Sequence, residues 1–246
     1  MNTDPVIKLE HVRKELSIRN GGEELVNTIL PDISFSIGRG EFTAITGPSG
    51  SGKTTLLYLM GGLDKPNSGS VYLDGEEISA MSEEDLAEMR NAKLGFVYQF
   101  HFLLPEFTAL ENVMMPLLAR GRAGVGDARK RATELLSDLG LSDKLHNKPN
   151  QLSGGQQQRV AVARSLVNDP LMILADEPTG NLDSKTGAEV LDLIDRLNAA
   201  GKTIVLVTHD DRVASRAHRV IHMRDGVIDR EVTNRPLPAS PLPAHV

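Results

Sequence analysis

Eight consecutive residues, 47–54, have side chains and spacing that suit the binding of phosphate. Glycines at three of the first six positions let the backbone fold tightly, so that successive N–H groups point at phosphate oxygens. Lys53 would place a positive charge beside the outer phosphates of a nucleotide, and the Thr54 hydroxyl would bind Mg²⁺. The pattern G-x-x-x-x-G-K-[ST] predicts a phosphate-binding loop. Its candidate nucleotide-binding residues are Gly47, Pro48, Ser49, Gly50, Ser51, Gly52, Lys53, Thr54 and Thr55.

The sequence on either side of this loop supports the same prediction. Residues 41–46 are typical of a strand, and residues 53 to about 60 of a helix. The positive end of that helix dipole would face the bound anion. For the motif taken alone, the alternative is a glycine-rich turn between a strand and a helix that matches the pattern by chance.

Two acidic residues follow an apolar run at residues 171–175, which predicts a strand buried on both faces. Asp176, at the end of this strand, is a candidate magnesium ligand. Glu177 could polarise a water molecule for attack on the terminal phosphate. The alternative for two such acids is a solvated turn before Pro178.

A second glycine-containing segment at residues 152–156 predicts another anion-binding helix start. Ser153 can cap the helix, and Gly154 and Gly155 let backbone N–H groups approach an anion closely. One nucleotide rarely needs two such sites from one subunit, unless two subunits share it. The alternative is an ordinary capped helix. The candidate residues are Ser153, Gly154, Gly155 and Gln156.

Two single residues follow predicted strands. Gln99 comes after residues 94–98, and His209 comes after residues 203–208. A lone glutamine or histidine at a strand end is more often a satisfied polar residue than a catalytic one. The order of the motifs along the chain makes both of them candidates.

Strands and helices alternate along the chain, which predicts an α/β fold with a mostly parallel sheet covered by helices. Between residues 100 and 165 the pattern turns helical, and we expect a helical subdomain inserted into the α/β core. Residues 234–246 are rich in proline, and we expect them to be extended and disordered. Further predicted strands are 33–37, 71–74, 220–223 and 227–228, the last two joined by a turn at Asp225-Gly226; further helices are 127–139, with Gly140 as C-cap, and 155–168.

Composition excludes several classes of protein. The 246 residues include 27 Lys and Arg against 33 Asp and Glu, which gives a formal charge of −6. A net negative charge argues against a protein whose whole surface binds nucleic acid. The chain has no cysteine, which excludes disulfides, thiolate zinc sites and cysteine nucleophiles. No apolar run approaches the ~18–20 residues that span a bilayer. We expect a cytosolic protein that acts at a membrane only through a partner.

The order of these motifs resembles that of the ATP-binding cassette (ABC) ATPases, over residues 6–232. The resemblance implies a P-loop NTPase with a RecA-like core, an antiparallel β subdomain and an inserted helical signature subdomain, with one ATPase domain over residues 1–233. It also implies ATP and Mg²⁺ as ligands. The resemblance also implies a role for each motif. Residues 47–54 correspond to Walker A, residues 152–156 to the signature motif and residues 181–183 to the D-loop. Asp176 corresponds to the Walker B acid, Glu177 to the catalytic glutamate, Gln99 to the glutamine that contacts magnesium and His209 to the switch histidine.

The resemblance implies partners as well as ligands. It predicts a head-to-tail homodimer that forms with ATP, and membrane permease subunits that dock near residues 99–118. It predicts no contact with nucleic acid or with the cargo, and a peripheral place on the cytoplasmic face of the inner membrane. The family's adenine-stacking aromatic is missing from residues 16–26, so Leu16 or Ile18 is expected to give an apolar platform instead.

An apolar, aromatic run after Gln99 predicts where the membrane subunit docks. Phe100, Phe102, Leu103, Leu104 and Phe107 crowd this run, and His101, Pro105 and Glu106 interrupt it as a loop would. We expect this loop and the helix near residues 110–118 to receive a short cytoplasmic helix of the membrane subunit. The alternative is that the run forms core of the helical subdomain.

Within the family, residues 96–118 are most similar to ATPase subunits of lipoprotein-releasing exporters. Residues 175–183 are shared with antimicrobial exporters of the MacB type and with the FtsE-type cell-division ATPase, so both remain alternatives. A DNA-repair or chromosome-organising ATPase of the family would carry long coiled coils or a zinc-bearing insertion, and the sequence has no sustained heptads and no cysteines. A non-hydrolysing binding module is disfavoured because Lys53, Asp176, Glu177 and His209 are all present.

Overall fold

The computed structural model describes residues 4–20, 23–121 and 123–234. They fold as two compact units. The first unit consists of Met1–Leu86 and Asn198–Val246, and the second of Ala87–Leu197. Within the described ranges, none of the helices combines the length and the apolar character that crossing a bilayer requires.

One sheet of the first unit is antiparallel. Its strands are β1 (Ile7–Asn20), β2 (Glu23–Ile37), β4 (Ser68–Leu73) and β5 (Glu76–Glu77), in the order β2-β1-β4-β5. Strands β1 and β2 pair from Ile7 opposite Ile37 onward, with register shifts between Leu9 and Glu15. Alternate apolar side chains of the paired strands are fully buried, among them Ile7, Leu9, Ile33 and Ile37. This period of two is the pattern of a sheet with one buried face.

The second sheet of this unit carries the phosphate loop. Strand β3 (Phe42–Thr46) pairs in parallel with β8 (Thr203–Val207) on one side and with β9 (Arg219–Arg224) on the other. Strand β10 (Val227–Thr233) pairs with β9 in antiparallel orientation. Every residue of β3 and β8 is buried, as expected for central strands with both faces covered. Helix α1 (Lys53–Met60) follows β3, and the short helix α7 (Asp211–Ala214) follows β8.

The second unit combines two parallel strands with helices. Strands β6 (Leu94–Tyr98) and β7 (Met172–Asp176) pair with Tyr98 opposite Asp176. Its helices are α3 (Ala109–Ala119), α4 (Val125–Asp138) and α5 (Gly154–Leu166). Helices α2 (Glu83–Lys93) and α6 (Ser184–Ala199) begin or end just outside the unit. A Cβ on Gly95 of β6 would lie 2.4 Å from the Ser165 carbonyl oxygen, so α5 packs directly on the backbone of this strand.

The structure confirms most predicted elements. Strand β6 has the predicted bounds, β3 and β8 each differ from the prediction by one residue at one end, and β7 differs by one residue at both ends. The predicted strand at 33–37 is the end of the longer β2, and the hairpin turn at Asp225-Gly226 joins β9 to β10 with positive φ at both residues. The predicted C-cap at residue 140 is wrong by one position: Leu139 is the C-cap of α4, and Gly140 follows it with φ of 73°.

Three further outcomes concern the limits of elements. Helix α5 ends at Leu166, two residues before the predicted end. The predicted helical stretch 100–165 contains α3, α4 and α5, while the exact domain boundaries stay a prediction. In the predicted tail, residues 235–246 lie outside the described residues.

Candidate nucleotide-binding site

The phosphate loop of the first unit has a backbone that only glycine fits at key positions. Gly47, Gly50 and Gly52 have φ of 146°, 80° and 92°. A Cβ on Gly47 would lie 2.2 Å from the Met223 carbonyl oxygen of β9, and one on Gly52 would lie 2.7 Å from Leu30 Cδ2 of β2. The loop therefore packs between β9 and β2, and these contacts, together with its glycines, determine its conformation.

The start of α1 offers donors to an anion. Its N-cap is Gly52, and no described side chain caps the helix. The N–H groups of the first turn therefore have no side-chain acceptor, and the helix dipole adds positive charge there. Lys53 Nζ lies over the loop and donates to the carbonyl oxygens of Gly47 at 2.9 Å and Pro48 at 2.8 Å.

Ser51 adds a third kind of donor. Its side chain is 2% exposed, and its hydroxyl has no hydrogen-bond partner among the described residues. A buried hydroxyl without a partner is costly, so an oxygen-rich ligand in the loop would stabilise it. Backbone N–H groups, an ammonium and hydroxyls together form a donor set that fits a phosphate chain.

His209 lies at the same edge of its sheet as the loop. Thr208 N donates to the Ile45 carbonyl oxygen at 3.1 Å, which extends the pairing of β8 with β3 up to the residue before His209. Asp210 N donates to Thr208 Oγ1 at 3.1 Å, and the Asp210 side chain caps α7. Exposed His209 is thus held between two ordered neighbours. Parallel strands β3 and β8 both end here, which is why the loop and the histidine leave the sheet together.

His222 on β9 makes a contact at the phosphate loop that was not predicted from the sequence. Its Nδ1 lies 2.8 Å from Thr46 Oγ1, one residue before the loop begins. The only sequence signal was its place on a predicted strand, so nothing local pointed to this contact.

In the second unit, the structure brings Gln99 to the D-loop. Gln99 Nε2 donates to Asn181 Oδ1, and Asn181 Nδ2 donates to the Gln99 carbonyl oxygen, both at 3.1 Å. A Cβ on Gly180 would lie 2.8 Å from Gln99 Nε2, so the glutamine side chain packs against bare backbone. The pairing of Tyr98 with Asp176 explains this proximity, because Gln99 and Glu177 each follow one residue of that pair.

Glu177 has an unusual backbone. Its φ is 48°, a left-handed value that costs free energy for a side chain of this kind, and both Asp176 and Glu177 are half-buried. The Glu177 carbonyl oxygen accepts from Gly180 N at 3.0 Å. Strain of this type persists only where surrounding contacts hold it, and it clusters at functional sites.

One of those surrounding residues, Gln158 of α5, had no role in the sequence prediction. It is fully buried, and its Nε2 donates to the carbonyl oxygens of Pro178 at 2.7 Å and Tyr98 at 3.3 Å. It therefore joins the segment after Glu177 to the strand end before Gln99. The only signal in the sequence was its spacing from Gly155 and Val162 on one face of the helix.

The signature segment forms a complete helix cap. Ser153 is the N-cap of α5; its Oγ accepts from Gln156 N at 3.3 Å, and its own N–H donates to Gln156 Oε1 at 2.9 Å. Ser153 and Gly154 are exposed, whereas Gly155 is buried. A Cβ on Gly155 would lie 2.1 Å from Thr186 Cγ2, so the start of α5 packs closely on α6.

The D-loop acid caps α6 in turn. Asp183 accepts from the N–H groups of Lys185 at 3.0 Å and Thr186 at 3.1 Å, and from the Thr186 hydroxyl at 2.6 Å. The Thr186 hydroxyl is the main cause that lowers the pKa of Asp183. Signature segment and D-loop are thus built against each other within the second unit.

The structure therefore divides the predicted site between the units. The first unit carries residues 47–55 and His209; the second carries Gln99, Ser153–Gln156, Asp176, Glu177 and the D-loop. Leu16 of the predicted adenine platform is 46% exposed and pairs with Asn27 of β2, and the side chain of Ile18 lies outside the described residues. The described residues hold no group of three His, Asp or Glu side chains that could bind a metal by themselves.

Comparison with known proteins gives results that agree over most of the chain. The model of the ABC transporter family matches residues 30–180. The lipoprotein-releasing system ATP-binding protein LolD 1 of Chlorobium chlorochromatii is 57% identical over 230 residues, which cover 92% of each chain. The macrolide export ATP-binding/permease protein MacB 1/2 of Paracoccus denitrificans is 52% identical over 91% of this chain and 33% of its own length.

A solved structure is similar over nearly the whole fold. It is a dimeric post-hydrolysis state of the ATP-binding cassette MJ0796 bound to ADP and Pi. The TM-score is 0.84 and the identity 45%, over 94% of this chain and 99% of the other.

Proposed function

This chain belongs to the ABC transporter family, and we propose that it is the ATP-hydrolysing subunit of an export complex that releases lipoproteins from the inner membrane. The observation that carries the ATPase proposal is the phosphate loop, with its glycine-only backbone, its uncapped helix and Lys53. The 57% identity to a lipoprotein-releasing protein over 92% of both chains supports the choice of cargo. Macrolide export is the second candidate, because a MacB protein matches 91% of this chain at 52% identity.

The loop residues bind and orient the phosphates of ATP. Backbone N–H groups of the loop, which all its residues except Pro48 carry, surround the phosphate oxygens. Lys53 exchanges its bonds to two loop carbonyls for the charged outer phosphates. Thr54, Gln99 and Asp176 are the candidate magnesium ligands, a hydroxyl, an amide and one carboxylate, which suits a cation that takes few protein ligands. Bound Mg²⁺ would supply neutralisation of the phosphate charge.

Glu177 and His209 act on the reacting groups. Glu177 positions and polarises the attacking water as a general base, and the strained backbone at this residue supports a fixed orientation of the carboxylate. His209, at the end of β8, contacts the terminal phosphate. Phosphoryl transfer depends chiefly on such placement and on charge neutralisation.

A second copy of the chain completes each site. Exposed Ser153 and Gly154 would bind the nucleotide held by the phosphate loop of the other copy, in a head-to-tail dimer. Departure of the terminal phosphate weakens this bridge, so release of phosphate after hydrolysis would open the dimer. The dimeric state of a similar cassette supports the arrangement.

The membrane subunit would dock on the loop at residues 99–108, here termed the docking loop, and on α3. Phe100 and Phe102 are 63% and 64% exposed, and Leu104 is exposed as well. Buried Asn112 of α3 shapes the loop, since its Nδ2 donates to the Leu104, Phe107 and Thr108 carbonyl oxygens. Apolar side chains on a loop held in this way suit a helix of the partner. The chain would reach the cytoplasmic face of the membrane through that partner and would not touch the cargo.

Turnover of ATP by a Glu177→Gln variant tests the ATPase proposal. The variant should bind ATP but lose on the order of 10²-fold or more in turnover, because the general base is removed. Light scattering with ATP and Mg²⁺ should show the variant as a dimer. Glu134→Gln, an exposed change on α4, is the matched control. Hydrolysis by Glu177→Gln at the wild-type rate, or a strictly monomeric variant at high concentration, would contradict the proposal.

Copurification tests the membrane partner and the cargo. The tagged chain should recover a membrane subunit from its native membranes, and depletion of the chain should leave lipoproteins in the inner membrane. A variant with Leu103→Glu and Phe107→Asp should lose the membrane subunit while the isolated chain keeps near-normal ATPase activity. Unchanged recovery with both substitutions would contradict docking at this loop, and normal release after depletion would favour the macrolide alternative.

A further inference from the structure

The docking loop holds its most exposed ring on a strained backbone. Phe102 has φ of 45°, a left-handed value that is costly for an aromatic residue, and its ring is exposed to solvent. Burial of the ring therefore cannot be what maintains this conformation. Another contact must hold the backbone of the loop in place.

Arg164 in the last turn of α5 makes that contact. Its two terminal nitrogens donate to the carbonyl oxygens of His101 and Phe102, each at 2.7 Å. The planar guanidinium presents parallel donors in a fixed fork, which matches two adjacent carbonyl groups better than an ammonium could. Both carbonyls belong to the strained turn, so one side chain fixes the direction of the loop.

The two bonds to the loop carbonyls replace part of the hydration of the Arg164 guanidinium. Burial lowers the pKa of Arg164, because a cation taken from water loses hydration. Such a loss is tolerated where hydrogen bonds replace the water. The burial of the guanidinium costs hydration free energy, and its bonds to the two carbonyl oxygens offset that cost.

Aromatic rings join the same loop to the strand before it. The Tyr98 ring meets Phe102 edge to face at 5.4 Å between centroids and is stacked with Phe96 of β6 at 6.0 Å. Phe100 lies 6.4 Å from Phe102. A row of rings thus runs from the strand to the exposed surface, and Arg164 fixes the backbone at the point where the row turns outward.

We infer that Arg164 is a positioning residue that ties the docking loop to α5, so that the loop moves with the helix that starts at Ser153. The helix has 13 residues, and a helix of that length spans ~20 Å. One rigid element then joins the end that faces a nucleotide to the loop that faces the membrane subunit. This inference deepens the proposed function and rests on it for the identity of the partner.

Hydrogen exchange in the full chain tests the tie directly. In Arg164→Ala, amides of residues 100–104 should exchange about tenfold faster or more, because local opening no longer breaks two hydrogen bonds to a charged group. Millimolar guanidinium chloride should restore the protection, and ammonium chloride should not. Recovery of the membrane subunit from native membranes should fall in Arg164→Ala and return when guanidinium chloride is added, in parallel with the protection of residues 100–104.

Two further variants make the test decisive. Arg159→Ala removes an arginine from the same helix, one that pairs with Glu189 on α6, and should leave exchange at residues 100–104 unchanged. Arg164→Lys keeps the charge without the fork and should show the fast exchange of the alanine variant, even if alanine proves unstable.

Wild-type exchange at residues 100–104 in Arg164→Lys and Arg164→Ala would overturn the inference. Equal rescue by ammonium would also overturn it, because charge alone would then suffice. A wild-type chain that neither hydrolyses ATP nor recovers a membrane subunit would defeat the proposed function instead, and the exchange result would still decide whether Arg164 holds the loop.

Discussion

Two helices of this chain begin with glycine-rich segments, and they begin differently. At α1 the N-cap is Gly52 with φ of 92°, and no described side chain caps the helix. At α5 the cap is Ser153, which exchanges two hydrogen bonds with Gln156. The first helix start has N–H groups that depend on a ligand for acceptors. The second is complete by itself and can add an anion only at its outer, exposed side.

A third helix start shows what is special about the second. Helix α3 has the same kind of capping box, with Thr108 as N-cap and Glu111 as its partner. In α5 the corresponding partner is uncharged Gln156. Both side chains can accept from the N-cap N–H, so the box forms with either residue. An uncharged partner leaves α5 free of negative charge where a phosphate would approach.

The largest effect should come from the uncapped helix start. Lys53→Ala removes the ammonium that lies over the loop carbonyls, and the affinity for ATP should fall about 10²-fold or more, since a charge-assisted contact to the outer phosphates is lost. Titration calorimetry with ATP and Mg²⁺ measures it. Lys130→Ala on the exposed face of α4 is the control and should bind like wild type. Affinity within twofold of wild type for Lys53→Ala would place the nucleotide elsewhere.

Two glycines of the same loop should separate packing from backbone strain. An alanine Cβ at Gly47 would lie 2.2 Å from backbone, so Gly47→Ala should cost about 3 kcal/mol in free energy of unfolding. Gly50 has φ of 80° but open space around it, so Gly50→Ala should cost only ~1–2 kcal/mol. Urea unfolding of both variants gives the difference. Equal costs would mean that the strand β9 does not confine the loop.

These strands and this loop were predictable because their signals are local. Apolar runs predicted the bounds of β6, and those of β8 to within one residue, and the spacing of glycines and a lysine identified the loop. Strand β1 carries seven charged or histidine side chains among its 14 residues, so no apolar alternation marks its full length; it is a strand because of its pairing with β2. Helix α2 is polar almost throughout and has no apolar stripe to indicate it.

The contacts made by Gln158 and Arg164 could not be predicted for a different reason. Both side chains donate to backbone carbonyls more than 19 positions away in sequence, and every carbonyl looks alike in a sequence. Helix α6 is another matter, since Val190, Leu191, Leu193 and Ile194 recur at helical spacing. That signal was present in the sequence and received no assignment.

A negative charge added at the capped start of α5 should weaken the ATP-dependent dimer without lowering the stability of the chain. Gln156→Glu keeps the capping box and places an acid in the first turn of α5, where the helix dipole favours it, so the unfolding temperature should stay at or above the wild-type value. ATP-dependent dimers should weaken about tenfold or more, because the carboxylate repels the phosphates of the other copy's nucleotide. Light scattering in the Glu177→Gln background measures the dimer. Undiminished dimers would mean that this helix start does not meet a nucleotide.

The close packing of Gly155 on α6 should give a smaller loss of stability, which a second substitution can restore. Gly155→Ala brings a Cβ to 2.1 Å from Thr186 Cγ2, a side-chain methyl, and should cost about 1–3 kcal/mol in free energy of unfolding. Thr186→Ser removes that methyl and keeps the hydroxyl that bonds Asp183. The double variant should therefore recover most of the loss in a double-mutant cycle by urea unfolding. Additive costs would show that the methyl is not what limits the space at Gly155.

The smallest effect should appear at α3, as the reverse of the charge change in α5. Bonds from the Thr108 N–H and hydroxyl lower the pKa of Glu111 from its ordinary value of 4.5. A carboxyl with a lowered pKa in the folded state adds stability above its unfolded pKa, and that stability is lost as the pH falls through the folded pKa. Glu111→Gln keeps the box without a titrating group. The unfolding free energy of wild type relative to Glu111→Gln should therefore fall from pH 7 to pH 4.

Urea unfolding of both chains at the two pH values measures this difference. The exposed position of Glu111 keeps the effect small, because solvent screens its contacts. Glu106→Gln, an exposed change in the docking loop outside the box, controls for the loss of one carboxylate. A difference between wild type and Glu111→Gln that stays constant with pH would mean that the charge of Glu111 adds nothing to the cap. The charged Glu111 of α3 and the uncharged Gln156 of α5 would then stabilise their helix starts equally, and the two capping boxes would differ only in the side chain that accepts the bond.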